Sequence, residues 1–302
     1  MLEPAFPPSR APDLSGGLTP EPTADGSFTL FSEDFGEWFH SREGAYTEAY
    51  TTYVEATDLT TLALAPSLTW LDVCYGLGYN TAAALATVQR VNPQCHVQVI
   101  GLELDGRVPK QAVETGLVDR WSPEIQEILA QLAHQGQVNR PTLHAELRLG
   151  DARQTVQGLA KEGFQADVIF FDPFSPPHCP ELWTVDFIRP VARCLGSGGK
   201  LATYSCAAAV RAAFLEVGLQ IGPIAAAGRR WPGTLAQWSP DGLDSLSQQE
   251  QEHLQTRAAV PYRDPSLQDS ADRIRQRRQQ EQAQSSLAPT AQWRKRWLPS
   301  KP

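Results

Sequence analysis

No apolar run in the 302-residue sequence approaches the roughly 20 residues that a membrane helix requires. Runs such as Val168–Phe171 are far shorter, and Met1 is followed by Leu-Glu-Pro rather than by a basic segment and an apolar stretch. No secretory signal is therefore expected, and the cytoplasm is the expected location. Cysteine is sparse: Cys74, Cys95, Cys179, Cys194 and Cys206 are odd in number and irregularly spaced. That pattern argues against a disulfide framework. None of the cysteines shows the two- to four-residue gap of a zinc knuckle, so no metal site is expected. Positive charge is also short. A net charge of −8 argues against strong, sequence-blind binding to nucleic acid, which depends on many cationic contacts to phosphate. The deficit is uneven, because Pro261–Pro302 carries nine basic residues against four acidic ones. A solvated helix face is the ordinary reading of its Arg273-Ile274-Arg275-Gln276-Arg277-Arg278 run, and an anionic partner is the alternative.

The 41% apolar and 9% aromatic content suits a packed globular core. Residues 1–26, rich in Pro, Gly and Ser without apolar periodicity, are expected to be disordered. A hairpin and then a helix from near Gly44 should follow. Seven β-rich runs then alternate with helical patterns: Trp70–Val73, Val97–Leu102, Leu143–Leu149, Asp167–Phe171, Lys200–Tyr204, Leu219–Ile224 and Thr234–Trp238. The intervening helices are expected at Asn80–Arg90, Pro109–Glu114, Ser122–Gln135, Arg153–Lys161, Pro180–Cys194 and Ala207–Val217. Such alternation predicts an α/β fold with a doubly wound, mostly parallel seven-stranded sheet over residues 27–240. Residues 241–302, with helical patterns at Ser247–Arg257 and Gln268–Gln284, form a basic helical extension.

Three elements form a set. The first strand runs through Asp72 into Cys74-Tyr75-Gly76-Leu77-Gly78-Tyr79-Asn80, a glycine-containing turn that opens a helix. Glycine permits close approach of backbone to a ligand, and the helix start offers free N–H groups. A ligand-free strand–helix turn has the same appearance. The second strand ends at Glu103, suited to accept both hydroxyls of a ribose. The third ends in Gly150-Asp151, where Asp151 can cap the next helix and also meet an adenine amino group. The dinucleotide fingerprint G-x-G-x-x-G fails, since Thr81 stands at its last glycine. The order resembles a class I S-adenosylmethionine (SAM) methyltransferase more than a dehydrogenase.

The most distinctive stretch is Asp167-Val168-Ile169-Phe170-Phe171-Asp172-Pro173-Phe174-Ser175-Pro176-Pro177-His178-Cys179-Pro180-Glu181-Leu182-Trp183. An apolar strand ends in Asp172, and four prolines stiffen the loop beyond it. Asp172 either faces a methyl donor or merely caps the loop. This stretch, with Gly-Gly-Lys-Leu-Ala-Thr-Tyr-Ser-Cys at 198–206, resembles the methyltransferase domain of the MnmC family. The Gly44-x-x-x-Glu48 spacing and the Pro-Tyr-Arg-Asp-Pro at 261–265 resemble that family too. One departure is Cys74, where the family's turn has its first glycine.

The resemblance implies transfer of the SAM methyl group to the exocyclic amine of 5-aminomethyluridine, with or without 2-thiolation, at the wobble position of tRNA. It places the methionine part of SAM on the Asp72–Asn80 turn with Asp72, Gly76, Gly78 and Asn80. Glu103 would take the ribose, Asp151 the adenine and Asp172 the acceptor amine. Glu48, Phe174 and Trp183 are the expected substrate contacts, with Tyr46 a further candidate for base stacking, although buried core packing is the plain reading of such aromatics. No second glycine fingerprint follows Leu219, so a flavin oxidoreductase domain, fused in many members, is not expected. Asp172 can accept the proton that an alkylammonium must lose before it attacks. Three other readings stay open: methyl or aminopropyl transfer to a small amine, a non-catalytic module binding RNA or a partner, and a dinucleotide oxidoreductase.

Overall fold

The computed structural model describes residues 20–224 and 232–298. Of the stretch expected to be disordered, residues 1–19 lie outside the described residues. Pro20–Pro22 forms strand β1, so the boundary expected at residue 26 moves towards the N-terminus. β1 pairs antiparallel with β2 (Phe28–Ser32), which pairs with β3 (Glu37–Trp38). The helix from Gly44 then begins as α1 (Ala45–Glu48) and widens at once into a π-helix, Ala49–Glu55, followed by α2 (Leu59–Leu62).

The alternating region opens with β4 (Ser67–Val73), α3 (Tyr79–Val91), β5 (His96–Glu103), α4 (Arg107–Glu114), α5 (Pro123–Gln135), β6 (Gln137–Arg140), β7 (Leu143–Leu149), α6 (Ala152–Glu162) and β8 (Ala166–Phe171). It continues with α7 (Val185–Arg193), β9 (Leu195–Thr203), α8 (Ala208–Glu216), β10 (Gln220–Ile224) and β11 (Gly233–Gln237). The sheet has the order β10-β11-β9-β8-β4-β5-β7-β6, with the five strands from β9 to β7 parallel. It is eight-stranded rather than the expected seven. The addition is β6, a short antiparallel edge strand with only Val138 buried, too brief to leave an alternating pattern.

β4 is buried on both faces along Trp70–Val73, as a central parallel strand must be. One core lies between the sheet and α3 and α5, the other between the sheet and α6, α7 and α8. The chain moves outward from β4 through β5 to β7, then returns to β8 on the other side of β4. That reversal opens a crevice at the carboxyl ends of these strands, where doubly wound sheets bind ligands.

The single helix expected over Pro180–Cys194 is two pieces, a 3₁₀ turn at Pro180–Trp183 and then α7. Thr184 ends the first and caps the second, its hydroxyl accepting from Phe187 N–H at 3.1 Å. Beyond β11 come α9 (Gln248–Leu254), α10 (Ala271–Gln284) and α11 (Thr290–Trp297). The arginines of α10 are not a free cationic face. Arg277 donates to Asp269 at 2.6 Å, Arg278 to the carbonyls of Val260 and Ala258 at 2.7 and 2.9 Å, and Arg275 to Pro177. No helix among the described residues is long and apolar enough to cross a membrane.

Candidate active site

The turn after β4 is left-handed at three residues: Cys74, Gly76 and Gly78 have φ of 69°, 56° and 81°. A side chain at such a φ costs about 1–2 kcal/mol, so Cys74 adopts this turn at the expense of local strain. Gly78 has a packing reason of its own, since a Cβ there would lie 2.7 Å from the Tyr75 hydroxyl oxygen. Gly76 turns its N–H towards β5 and donates to Glu103 Oε2 at 2.8 Å.

A cavity of about 700 Å³ lies over this turn, lined by Cys74–Gly76, Asn80, Leu102–Asp105, Asp151–Arg153, Asp172–Phe174 and the β2–β3 hairpin. Its volume falls within the range of nucleotide- and drug-sized sites. Glu103, almost fully buried, also accepts from Asp105 N–H at 2.9 Å. Burial pushes its carboxyl up, and the two backbone N–H bonds resist the shift. Asp151 caps α6 through Arg153 N–H at 2.9 Å and grips the Arg153 guanidinium at 2.7 Å while still lining the cavity.

Asp172 stands at the end of β8. Its Oδ2 accepts from the Asn80 amide at 2.9 Å. That bond places Asn80 between the turn and Asp172, and the Asn80 Oδ1 has no protein partner. Burial raises the Asp172 carboxyl to about 6, against the stabilising pull of the Tyr53 hydroxyl and the Asn80 amide. Tyr53 is carried there by the π-helix, a distortion that recurs at functional sites. Its hydroxyl faces Asp172 without a hydrogen bond of good geometry.

The hairpin roofs the other side. Phe35 stacks on Phe174 at 4.6 Å and Phe39 meets the same ring edge-on at 4.9 Å. Glu37 accepts from Ser175 N–H at 2.7 Å, and His178 Nδ1 lies 2.6 Å from the Phe35 carbonyl oxygen. Glu48 reaches the cavity from α1, its Oε2 accepting from Ser41 N–H at 3.0 Å.

The structure thus gathers Gly76, Asn80, Glu103, Asp151, Asp172, Glu48 and Phe174 around one cavity. Three expected site residues, together with Tyr46, fall elsewhere. Trp183 is in the core, edge-on to Phe171 at 5.1 Å, and its indole N–H donates to the Phe174 carbonyl at 2.7 Å. It supports the loop after Asp172 from behind, because a fully buried indole needs a partner for its one polar atom. Tyr46 packs against Trp121 and under Arg120, away from the cavity. Gly78 serves the Tyr75 ring. Asp72 is fully buried beneath the turn, its Oδ2 accepting from the Thr81 hydroxyl at 2.7 Å. Sequence reading missed Tyr53, Phe35, Phe39, Glu37 and Tyr204, whose hydroxyl donates to the Pro173 carbonyl at 2.9 Å.

The Asp72 carboxyl is pushed up to about 8, by burial first and by the nearby Asp172 and Glu103 carboxylates, against the Thr81 bond. The folded protein therefore retains a proton that the unfolded chain releases near the ordinary aspartate value. Stability contributed by this proton is fully present at acid pH. It is lost as pH climbs through that window to about 8. Asp72→Asn is expected to flatten the urea midpoint against pH over this range; an undiminished slope would assign it to another group.

Residues 113–239 match a family described as S-adenosyl-L-methionine-dependent methyltransferase. The crystal structure of MnmC2 from Aquifex aeolicus superposes with a TM-score of 0.79 at 29% identity, over 90% of this chain and 87% of that one. This chain is an S-adenosyl-L-methionine-dependent methyltransferase related to MnmC. An uncharacterized protein of Methanocaldococcus jannaschii, MJ0670, is 29% identical over 259 residues, covering 83% of this chain and 69% of its own. The tRNA 5-methylaminomethyl-2-thiouridine biosynthesis bifunctional protein MnmC of Cupriavidus necator is 28% identical over 237 residues, or 73% of this chain. This methyltransferase spans only 34% of that bifunctional protein's length.

The cavity fits SAM on its own geometry. The left-handed turn brings backbone to its floor, Glu103 presents a carboxylate at the end of β5, and Asn80 Oδ1 is an unpartnered buried acceptor.

Proposed function

We propose that this methyltransferase acts on the exocyclic amine of 5-aminomethyluridine, with or without 2-thiolation, at the tRNA wobble position. The observation that carries the reading is Asp172: a half-buried carboxylate whose pKa is raised to about 6, fixed by Asn80 at the foot of an aromatic-walled cavity. When bound, SAM supplies an electrophilic methyl group. The chain's part is to hold the amine in line and remove its proton, and a base ionised just below neutrality suits that task. In this reading Gly76 and Asn80 edge the methionine side, Glu103 takes the ribose and Asp151 the adenine. Phe174, with Phe35 and Phe39, offers faces for a splayed uridine, since bases drawn from single-stranded RNA are commonly held by stacking. The catalytic domain runs from β1 to about residue 240, and 241–302 is its extension. The names of the MnmC relatives support tRNA as partner.

One observation favours a second reading. Nine acidic side chains line the cavity against three arginines and a histidine, a field that suits a small cationic amine as well as an aminomethyl group. A tritiated-SAM assay on tRNA from cells lacking wobble-uridine methylation, followed by nucleoside mass spectrometry, separates the two. Conversion of 5-aminomethyluridine to its N-methyl form is expected. Methylation of small amines with no labelled tRNA nucleoside would overturn the tRNA assignment and leave the amine chemistry standing.

A further inference from the structure

The Pro-Tyr-Arg-Asp-Pro segment and the arginines after it run directly behind the site. Tyr262 forms a parallel bridge with Thr184, and its carbonyl accepts from Val185 N–H at 3.0 Å. The segment is thereby joined to the chain just where the proline-rich loop ends. Asp264 is fully buried and accepts on both oxygens. Oδ2 takes Arg153 Nη1 at 3.0 Å, and Oδ1 takes the Ser266 hydroxyl and the N–H groups of Gln268 and Asp269 at 3.1–3.2 Å. Arg153 is the same guanidinium that grips Asp151 at the cavity wall.

From α10, Arg275 reaches back to the loop itself. Its Nε and Nη2 both donate to the Pro177 carbonyl, at 3.1 and 2.9 Å, and its Nη1 pairs with Asp272 at 2.7 Å. Pro173, Pro176 and Pro177 have no N–H, so this loop has few donors of its own with which to fix its backbone. A guanidinium supplies two N–H groups in a fixed plane, which an ammonium does not. Arg277 and Arg278, anchored to Asp269 and to the 258–260 carbonyls, hold the helix that presents Arg275.

We propose that residues 261–278 brace the active site from behind, and that Arg275 is a positioning residue for the acceptor wall, acting through the Pro177 carbonyl. The proposal rests on the reading of the Asp172 loop as that wall. Arg275, Arg277 and Arg278 of α10 then act as a clamp on the protein's own backbone and carboxylates rather than as contacts to RNA.

The test compares full-length wild type, Arg275→Ala and Arg275→Lys by hydrogen exchange, SAM titration and methylation kinetics. In both variants, amides of the 174–183 segment are expected to exchange about tenfold faster, the scale of losing a charge-assisted hydrogen bond. SAM affinity should be unchanged, and the acceptor KM should rise by a similar factor at near-constant kcat. Unaltered exchange in 174–183 would overturn the brace. So would rescue of the acceptor KM by Lys, since a bare positive charge would then suffice, as expected for direct RNA contact. If wild type methylates no tRNA while exchange still rises, the substrate assignment fails and the brace stands.

Discussion

Asp172→Asn is expected to lower methyl transfer by about 10²–10⁴-fold, the range for loss of a positioned general base, while SAM affinity stays close to wild type. Asparagine preserves the shape and a contact to Asn80 but cannot take a proton. The pH profile makes the argument sharper. With its carboxyl raised to about 6, wild-type Asp172 is ionised above that pH and protonated below it. The rate should therefore climb with pH up to about 6 and level off until the substrate ammonium itself titrates. Removing the Asn80 amide, which stabilises the ionised form, should move that acid limb to higher pH. Equal loss of SAM binding and turnover in Asp172→Asn would assign the residue to the cofactor instead.

Glu103→Ala should weaken SAM binding by roughly a hundredfold or more, on the scale of two hydrogen bonds to a charged acceptor at about 1.5–3 kcal/mol each. The Glu103 carboxylate also holds the N–H groups of Gly76 and Asp105. Its loss thus loosens the turn that the cofactor rests on and removes the ribose acceptor together. Glu103→Gln separates these contributions, because its amide oxygen can keep one N–H bond while the charge is gone. Calorimetric titration with SAM is the direct measurement. Near wild-type affinity in both variants would remove Glu103 from the binding site and place it among the structural carboxylates beside Asp72.

Elements with strong periodicity were legible in the sequence. The strands containing Trp70–Val73 and Asp167–Phe171 appear where their apolar runs lie, because a central strand buried on both faces is mostly apolar, and Leu143–Leu149 appears where buried and more exposed residues alternate. Asp72, Glu103, Asp151 and Asp172 could all be found as carboxylates at or near strand ends. Their fates could not. Asp72 points beneath the turn to Thr81, whereas Asp172, on the neighbouring strand, opens onto the cavity. For Trp183 the sequence leaves base stacking and core packing both open, and the structure puts its indole in the core.

By itself, the sequence determined the doubly wound fold, the glycine turn and the carboxylates that end its strands, because those depend on local propensity and on the period of apolar residues. Only the tertiary structure decided what surrounds Asp172. Tyr53 comes from a π-helix, Phe35 and Glu37 from a hairpin, and Arg275 from a helix about a hundred residues downstream. Contacts between elements so distant along the chain are set by packing and by the need of buried polar groups for partners. No local pattern in the sequence carries that information.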